Sequence, residues 1–75
     1  MSSQMLEPNI TYKVTMRVGD RSRRIEQDHY LAYRSPDGRP HSVDDVLLEL
    51  RRACAQAMGV HVSDTYVVNC RFSRT

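Results

Sequence analysis

The stretch of sequence that decides the fold runs from Ser42 to Gly59 and reads SVDDVLLELRRACAQAMG. Ser42 followed by Asp45 is a helix start signal of the capping-box type, and Gly59 is a typical left-handed residue at a helix end. Between these signals, apolar residues recur at the spacing of one helix face: Val43, Val46, Leu47, Leu50, Cys54, Ala57 and Met58. The sequence therefore predicts one amphipathic helix over residues 43–58, with Leu48 off the apolar stripe and partly exposed.

On the N-terminal side of the helix, the pattern changes to that of β-strands. Residues 10–18 alternate strictly between apolar and polar side chains, which is typical of a half-buried antiparallel strand. Gly19-Asp20 then predicts a two-residue hairpin turn, after which a second strand returns over residues 21–34. In that strand Gln27 and His29 fall on the same face as the apolar residues, so we expect a bulge near residues 27–29.

The C-terminal side of the helix predicts one more strand, over residues 65–72. Its alternation places Tyr66, Val68, Cys70 and Phe72 on the apolar face, and Val67 on the opposite face with the polar residues. Residues 60–64 are expected to connect this strand to the helix.

Together these elements predict an α+β fold of the order β-β-α-β, a three-stranded antiparallel sheet with one helix packed on one face. The helix runs back along the sheet, so the last strand has the direction of the second, and the all-antiparallel placement puts it beside the first. The first strand is then expected in the centre, in the spatial order 2-1-3, and its interior contains neither Gly nor Pro. Residues 10–75 are expected to form a single small domain. Residues 1–9 are expected to be a flexible N-terminal leader, since Pro8 interrupts regular structure there.

Composition limits the classes of function. The 75 residues carry a net charge of +2, which is too small to indicate nucleic-acid binding by itself. Lys13 is the sole lysine among the eleven basic residues, and the remaining ten are Arg. This bias fits either an arginine-favouring, GC-rich genome or bidentate contacts to carboxylate or phosphate. No apolar run approaches the roughly 20 residues of a membrane span, and no secretory signal is visible, so a cytoplasmic protein is expected.

Residues that could carry catalysis or bind metal do not form a known pattern. The three histidines, His29, His41 and His61, lack the spacing of a metal motif, and a Gly-rich phosphate loop is absent. Cys54 and Cys70 both fall on predicted core faces, where they are either buried thiols or a disulfide between helix and sheet. The sequence therefore predicts a protein that is not an enzyme and that has no catalytic residues, metal or cofactor.

What remains is the surface, above all the sheet face opposite the helix and the Arg-rich hairpin. We expect a larger protein to be the partner, bound through these contact residues: Arg17, Arg21, Arg23, Arg24 and Tyr30. The alternative is a nucleic-acid-binding protein that uses the open basic face, through Lys13, Arg17, Tyr30 and Arg71. Free sheet edges leave two assembly states open, a monomer or an edge-paired homodimer.

No motif of a known family is recognised in this sequence. As a small α+β chain without a recognisable active site, it resembles the small inhibitors of phages and mobile elements, anti-CRISPR proteins among them. That resemblance implies a protein of phage, mobile-element or bacterial origin that acts by occupying a surface of a larger protein.

Overall fold

One helix and a three-stranded antiparallel sheet form the framework of the protein, as the computed structural model shows for residues 4–75. The predicted α+β class is therefore confirmed. The elements in chain order are β1 (Met5–Leu6), β2 (Tyr12–Asp20), β3 (Ile25–Tyr33), β4 (His41–Ser42), α1 (Val43–Met58), a short 3₁₀ turn (Val62–Asp64) and β5 (Thr65–Arg74).

Helix α1 begins and ends where its sequence signals predict. The Ser42 hydroxyl accepts a hydrogen bond from the Asp45 backbone N–H at 3.3 Å, which satisfies one of the unpaired donors of the first turn. Gly59 ends the helix with φ 72°, a left-handed conformation in which a side chain would be strained. Leu48 is 44% exposed, as expected, whereas Ala55 is buried and Ala57 is exposed, so the apolar stripe is turned slightly from the predicted one.

The three long strands pair in the order β3-β2-β5, with β2 in the centre. Val14, Met16 and Val18 of β2 are almost fully buried and form one core with these helix residues: Val46, Leu50, Cys54 and Met58. The facing residues of the two outer strands are half-buried, among them Leu31 of β3 and Phe72 of β5. The core is therefore deepest along the central strand and thins toward both edges of the sheet.

The predicted turn at Gly19-Asp20 is wrong. Strand β2 continues through Asp20, which pairs with Ile25, and a four-residue loop, residues 21–24, joins β2 to β3. Gly19 is needed within the strand because a Cβ at this position would overlap the Tyr66 ring on the neighbouring strand. The glycine thus marks a close approach of an aromatic side chain and not a hairpin turn.

The predicted bulge at residues 27–29 is also wrong. The β2–β3 register runs without interruption from Tyr12↔Tyr33 to Asp20↔Ile25. The irregularity lies instead on the other side of β2, where Arg17 pairs with Asn69 but Val18 pairs with Val67. Val68 is therefore the extra residue of a β-bulge.

This bulge reverses the predicted faces at the start of β5. Val67, expected on the open face, packs against the core, and Tyr66, expected in the core, lies over Gly19 on the open face. Val68, also expected in the core, is exposed. Beyond the bulge, Cys70 and Phe72 lie on the core side as predicted.

The segment that the sequence predicts to be a leader, residues 1–9, contains a short strand in its described part. Met5–Leu6 form β1, which pairs with β4, and Leu6 is 1% exposed within the core. The Glu7 backbone N–H donates to the Tyr12 hydroxyl at 3.0 Å, and the Glu7 carboxylate pairs with Arg74 at 2.9 Å. Residues 1–3 of the predicted leader lie outside the described residues. The later part of that segment closes the core at the end of the sheet remote from the hairpin loop.

Candidate binding surface

The face of the sheet opposite α1 is the surface on which the sequence predicts binding, and we call it the open face. The strand register identifies its residues, because cross-strand partners lie on the same face. They are Lys13, Thr15, Arg17 and Gly19 of β2, Glu26, Asp28, Tyr30 and Ala32 of β3, and Tyr66, Asn69, Arg71 and Ser73 of β5.

Arg17, a predicted contact residue, is held by two carboxylates of the neighbouring strand. Its Nε lies 2.9 Å from Glu26 Oε1, and its Nη1 lies 3.3 Å from Asp28 Oδ1. The hydrogen bond to Glu26, followed by the charge of Asp28, raises the pKa of the Arg17 guanidinium above its usual value. The positive charge of Arg17 is therefore compensated within the chain, and the cluster of Arg17, Glu26 and Asp28 holds two carboxylates for one guanidinium.

Arg23, a second predicted contact residue, stabilises the hairpin loop. Its Nε donates to the carboxylate of the fully buried Asp20 at 2.8 Å, and its Nη2 donates to the backbone carbonyl of Met58 at the end of α1. Asp20 also accepts bonds from the Ser22 hydroxyl and backbone N–H, at 2.7 and 3.0 Å. Arg23 thus joins the loop to the C-terminal end of the helix, where a cation complements the helix dipole.

The two other loop arginines have different surroundings. The Arg21 guanidinium carbon lies 5.5 Å from the centre of the Tyr66 ring, which is cation–π distance, and the ring in turn covers Gly19. Arg24 is exposed and has φ 55°, an unusual backbone conformation for a residue with a side chain. Of the predicted arginine contacts, Arg24 is the one with neither an ion pair nor an aromatic partner within residues 4–75.

The other end of the open face combines an exposed aromatic ring with uncompensated positive charge. Tyr30 is 73% exposed and pairs across the sheet with Thr15, which pairs on its other side with Arg71. Lys13 lies one step further along the same face, and neither Lys13 nor Arg71 forms an ion pair within the part of the chain that the structure describes. We call these four residues, Lys13, Thr15, Tyr30 and Arg71, the Tyr30 patch.

The surface of the Tyr30 patch is not flat. A shallow depression of about 400 Å³ opens beside it, lined by Thr15, Asn69, Cys70 and Arg71. Thr15 and Arg71 thus belong both to the patch and to the wall of this depression.

The structure therefore separates the predicted contact residues into two groups, one in the Tyr30 patch and one in or near the hairpin loop. Thr15, which pairs with Tyr30, and Gly19, beneath Tyr66, are four residues apart on β2, about 13 Å along an extended strand. The Tyr30 patch retains three residues of the nucleic-acid alternative, Lys13, Tyr30 and Arg71, whereas four of the five predicted partner contacts lie in or near the hairpin. Sequence alone could have suggested the loop role of Asp20, because an Asp side chain in a turn typically accepts a hydrogen bond from the backbone N–H two residues later, as Asp20 does from Ser22.

Histidine and cysteine side chains form no metal site within residues 4–75, where His, Cys, Asp and Glu are not grouped in threes. His41 Nε2 lies 2.8 Å from Asp37 Oδ1, and this bond chiefly lowers the pKa of Asp37 to about 2. Cys54 and Cys70 are free thiols, and burial raises the pKa of each, which disfavours the reactive thiolate.

A second depression, of about 460 Å³, separates the 34–41 loop from the first half of α1. Its walls mix an aromatic ring, Tyr33, with groups of both charges, including Arg34, Asp45 and Glu49. His41, which also lines it, is already bonded to Asp37. These groups do not converge on one ligand chemistry, so we assign the candidate site to the Tyr30 patch.

Comparison with known proteins adds no relative: no family model, no curated protein and no solved structure matches this chain. Within residues 4–75, no helix is long and apolar enough to cross a membrane. The functional interpretation therefore rests on the geometry of the surface itself.

Proposed function

We propose that this chain is a non-enzymatic binding protein that acts by occupying an acidic surface of a larger protein. The observation that carries the proposal is the Tyr30 patch. A tyrosine that is 73% exposed stands on the same sheet face as two cations, Lys13 and Arg71, that form no ion pair in residues 4–75. Tyr and Arg are the residue types that dominate the energy of protein interfaces.

The charge distribution supports an acidic partner. Among the cations of the open face, Arg17 is compensated by carboxylates of this chain, so the positive charge that this face offers a partner lies at Lys13 and Arg71. Complementary charge on the partner would steer the encounter and fix the orientation of binding. Binding is therefore expected to slow as the salt concentration rises, chiefly through the association rate.

A protein that acts by occupying a partner's surface needs no catalytic chemistry of its own. This is the mode of action expected of the small phage and mobile-element inhibitors that this chain resembles in size. Two features support a passive role. The cysteine thiols have raised pKa values, and the buried carboxylate Asp20 is used to hold the hairpin loop.

A second candidate function is binding of single-stranded nucleic acid by the same patch. The observation that favours it is the exposed Tyr30 ring on a sheet, flanked by Lys13 and Arg71, since bases stack on such rings while cations contact the backbone. The two functions differ in the target and not in the residues, so one set of variants tests both.

The experiment measures binding of the purified protein to a host lysate and to labelled single-stranded oligonucleotides. The double variant Lys13→Glu/Arg71→Glu should lose the protein partner that the wild type captures, because it reverses the charge of the patch. The matched control is Arg52→Glu, which makes the same kind of charge reversal at an exposed position on the helix. A partner retained by the double variant, or lost equally in Arg52→Glu, would contradict the proposed surface.

The oligonucleotide arm separates the two candidates. A mobility shift at low salt that Tyr30→Ala abolishes would favour nucleic acid over protein as the target. Its affinity should then fall steeply with salt, as counterion release requires.

A further inference from the structure

Strand β3 is an edge strand with an accessible outer side. It lies at one end of the order β3-β2-β5, so one row of its backbone N–H and C=O groups is not used by the sheet. Its nine residues, IEQDHYLAY, include no Pro, Gly or Lys, and its register to β2 is regular throughout. These are the properties of an edge that can accept another strand.

The opposite edge of the sheet differs in this respect. Strand β5 contains the bulge at Val68, and a bulge locally twists and disrupts an edge so that further pairing is discouraged. Charged side chains can also discourage pairing at an edge strand. Glu26 and Asp28 of β3 do not have this effect, because both are bonded to Arg17. Of the two edges, β3 is therefore the one suited to pairing.

Apolar side chains along β3 are incompletely covered on the helix side. Ile25 is 43% exposed, and Leu31 and Tyr33 are half-buried although both pack against the core. A further strand beside β3 would cover these side chains as well as its backbone groups, and burial of apolar area is the main driving force for such association.

We propose that two copies of this chain pair through β3 in antiparallel orientation, with a two-fold axis at Tyr30, to form a continuous six-stranded sheet. In this register Glu26 lies directly opposite the partner's Arg34, and the symmetric pair repeats the contact. Arg34 is free to make it, since its one described bond is a long 3.4 Å contact to the Thr11 hydroxyl. Glu26 shares Arg17 with Asp28, so this cluster carries an uncompensated negative charge.

Two neighbouring registers are less favourable. Each keeps the helix on the same side of the sheet in both copies, because a shift by an even number of residues preserves the faces. An axis at His29 would pair all of β3, residues 25–33, but it would place Glu26 opposite Ala32 and Asp28 opposite Tyr30, so no opposite charges would meet. An axis at Leu31 would shorten the pairing within β3 to residues 29–33. The axis at Tyr30 pairs residues 27–33 and brings Glu26 opposite Arg34, the residue directly after the strand.

This assembly goes beyond the proposed function and does not depend on it. The two-fold axis is perpendicular to the sheet, so both open faces lie on the same side of the dimer. The two Tyr30 patches then meet at the axis and form one surface twice as large. A dimer would therefore present two copies of Lys13 and Arg71 to a partner.

The first test measures the molar mass of the protein in solution at submillimolar concentration by sedimentation equilibrium. We expect twice the chain mass of 8.7 kDa. Glu26→Arg and Arg34→Glu should each give monomers, because each places like charges opposite one another, and the double variant Glu26→Arg/Arg34→Glu should restore the dimer. Arg39→Glu, in the exposed loop, is the matched control and should remain dimeric.

The second test fixes the register by disulfide cross-linking under mild oxidation. Tyr30→Cys should give a covalent dimer, since directly opposite Cβ atoms lie about 4.5–5.5 Å apart. Ala32→Cys is exposed on the same face but would be four residue positions from its symmetry mate, about 13 Å away, and should not cross-link.

Three outcomes would overturn the proposal. They are a monomeric wild type, a dimer unaffected by either single charge reversal, and a dimer that cross-links through Val68→Cys on β5 but not through Tyr30→Cys. Circular dichroism melts of each variant show whether it is folded. If a single variant is unstable, the double variant Glu26→Arg/Arg34→Glu still tests the proposal, because it should again be dimeric.

Discussion

The buried carboxylate of Asp20 shows how one side chain organises the hairpin. It is fully buried at the end of β2 and accepts bonds from Ser22 and Arg23, while Arg23 also reaches the last carbonyl of α1. Burial alone would raise the pKa of Asp20, but the hydrogen bond from the Ser22 hydroxyl has the larger effect and the pKa is lowered.

This lowered pKa predicts a pH dependence of stability. Because the pKa of Asp20 in the folded state lies below the unfolded value of about 3.9, its carboxylate stabilises the fold fully above that pH. The stabilisation is lost as the pH falls through the folded-state pKa. The wild type should therefore melt higher than Asp20→Asn at neutral pH, and the difference should shrink below about pH 4.

Thermal melts of both proteins between neutral and strongly acidic pH measure this difference. Asp37, whose pKa is lowered to about 2, is present in both proteins and does not affect the comparison. Melting curves of Asp20→Asn and wild type that stay parallel at all pH values would contradict the role assigned to Asp20.

Gly19 shows why some single residues cannot be interpreted from local sequence. Followed by Asp20, it has the signature of a hairpin turn. Its role is set instead by the ring of Tyr66, forty-seven positions later in the chain, which occupies the space of a side chain. The strand pairing that brings the two residues together is part of the tertiary structure, so the local sequence predicts the turn two residues too early.

Helix α1 is the element that the sequence specified best, and its packing gives a direct test. Leu50 is buried in the core, whereas Leu48, in the same helix, is 44% exposed. Leu50→Ala should lower the free energy of unfolding by about 2–5 kcal/mol, since it removes buried methyl groups and leaves a cavity. The matched variant Leu48→Ala should change it by no more than about 0.5 kcal/mol.

Chemical denaturation of the two variants measures this contrast. A small domain has a total stability near the lower end of the usual range of about 5–15 kcal/mol, so Leu50→Ala should be close to unfolding. Equal losses for Leu48→Ala and Leu50→Ala would mean that the helix packs on a different face.

Strand β5 shows the limit of pattern interpretation for an element. Its residues alternate, so the sequence predicted one set of faces for the whole strand. The bulge at Val68 inserts one residue and exchanges the faces of Tyr66 and Val67 relative to that prediction. A bulge is defined by its pairing to the neighbouring strand, and nothing in the local alternation indicates it.

The N-terminal segment, residues 4–7, packs into the core of the molecule through Leu6. Leu6 is 1% exposed and belongs to the core cluster, and the Gln4 carbonyl accepts a hydrogen bond from the Val43 backbone N–H at 2.9 Å. The sequence shows no clear periodicity there, because β1 contributes two residues and Pro8 lies two positions after its end. A strand this short has no detectable pattern, and its burial depends on elements far along the chain.

This arrangement predicts that the segment stabilises the domain. Leu6→Ala should lower the free energy of unfolding by about 2–5 kcal/mol, whereas Met5→Ala, at a neighbouring residue that is 54% exposed, should have little effect. Denaturant titrations of both variants give the comparison. Identical stability of Leu6→Ala and the wild type would show that the segment is a loose leader after all.

The sequence by itself determined the helix, its two ends and the alternation of the central strand. These features depend on residues within a few positions of one another: Ser42 and Asp45 at the start of α1, and Gly59 at its end. The tertiary structure decided which basic residues remain available to a partner. Whether Arg17 meets carboxylates, or Arg23 meets Asp20 and the end of the helix, depends on strand register and helix packing, which bring distant residues together. The same long-range contacts left Lys13, Tyr30 and Arg71 as the exposed, uncompensated part of the open face.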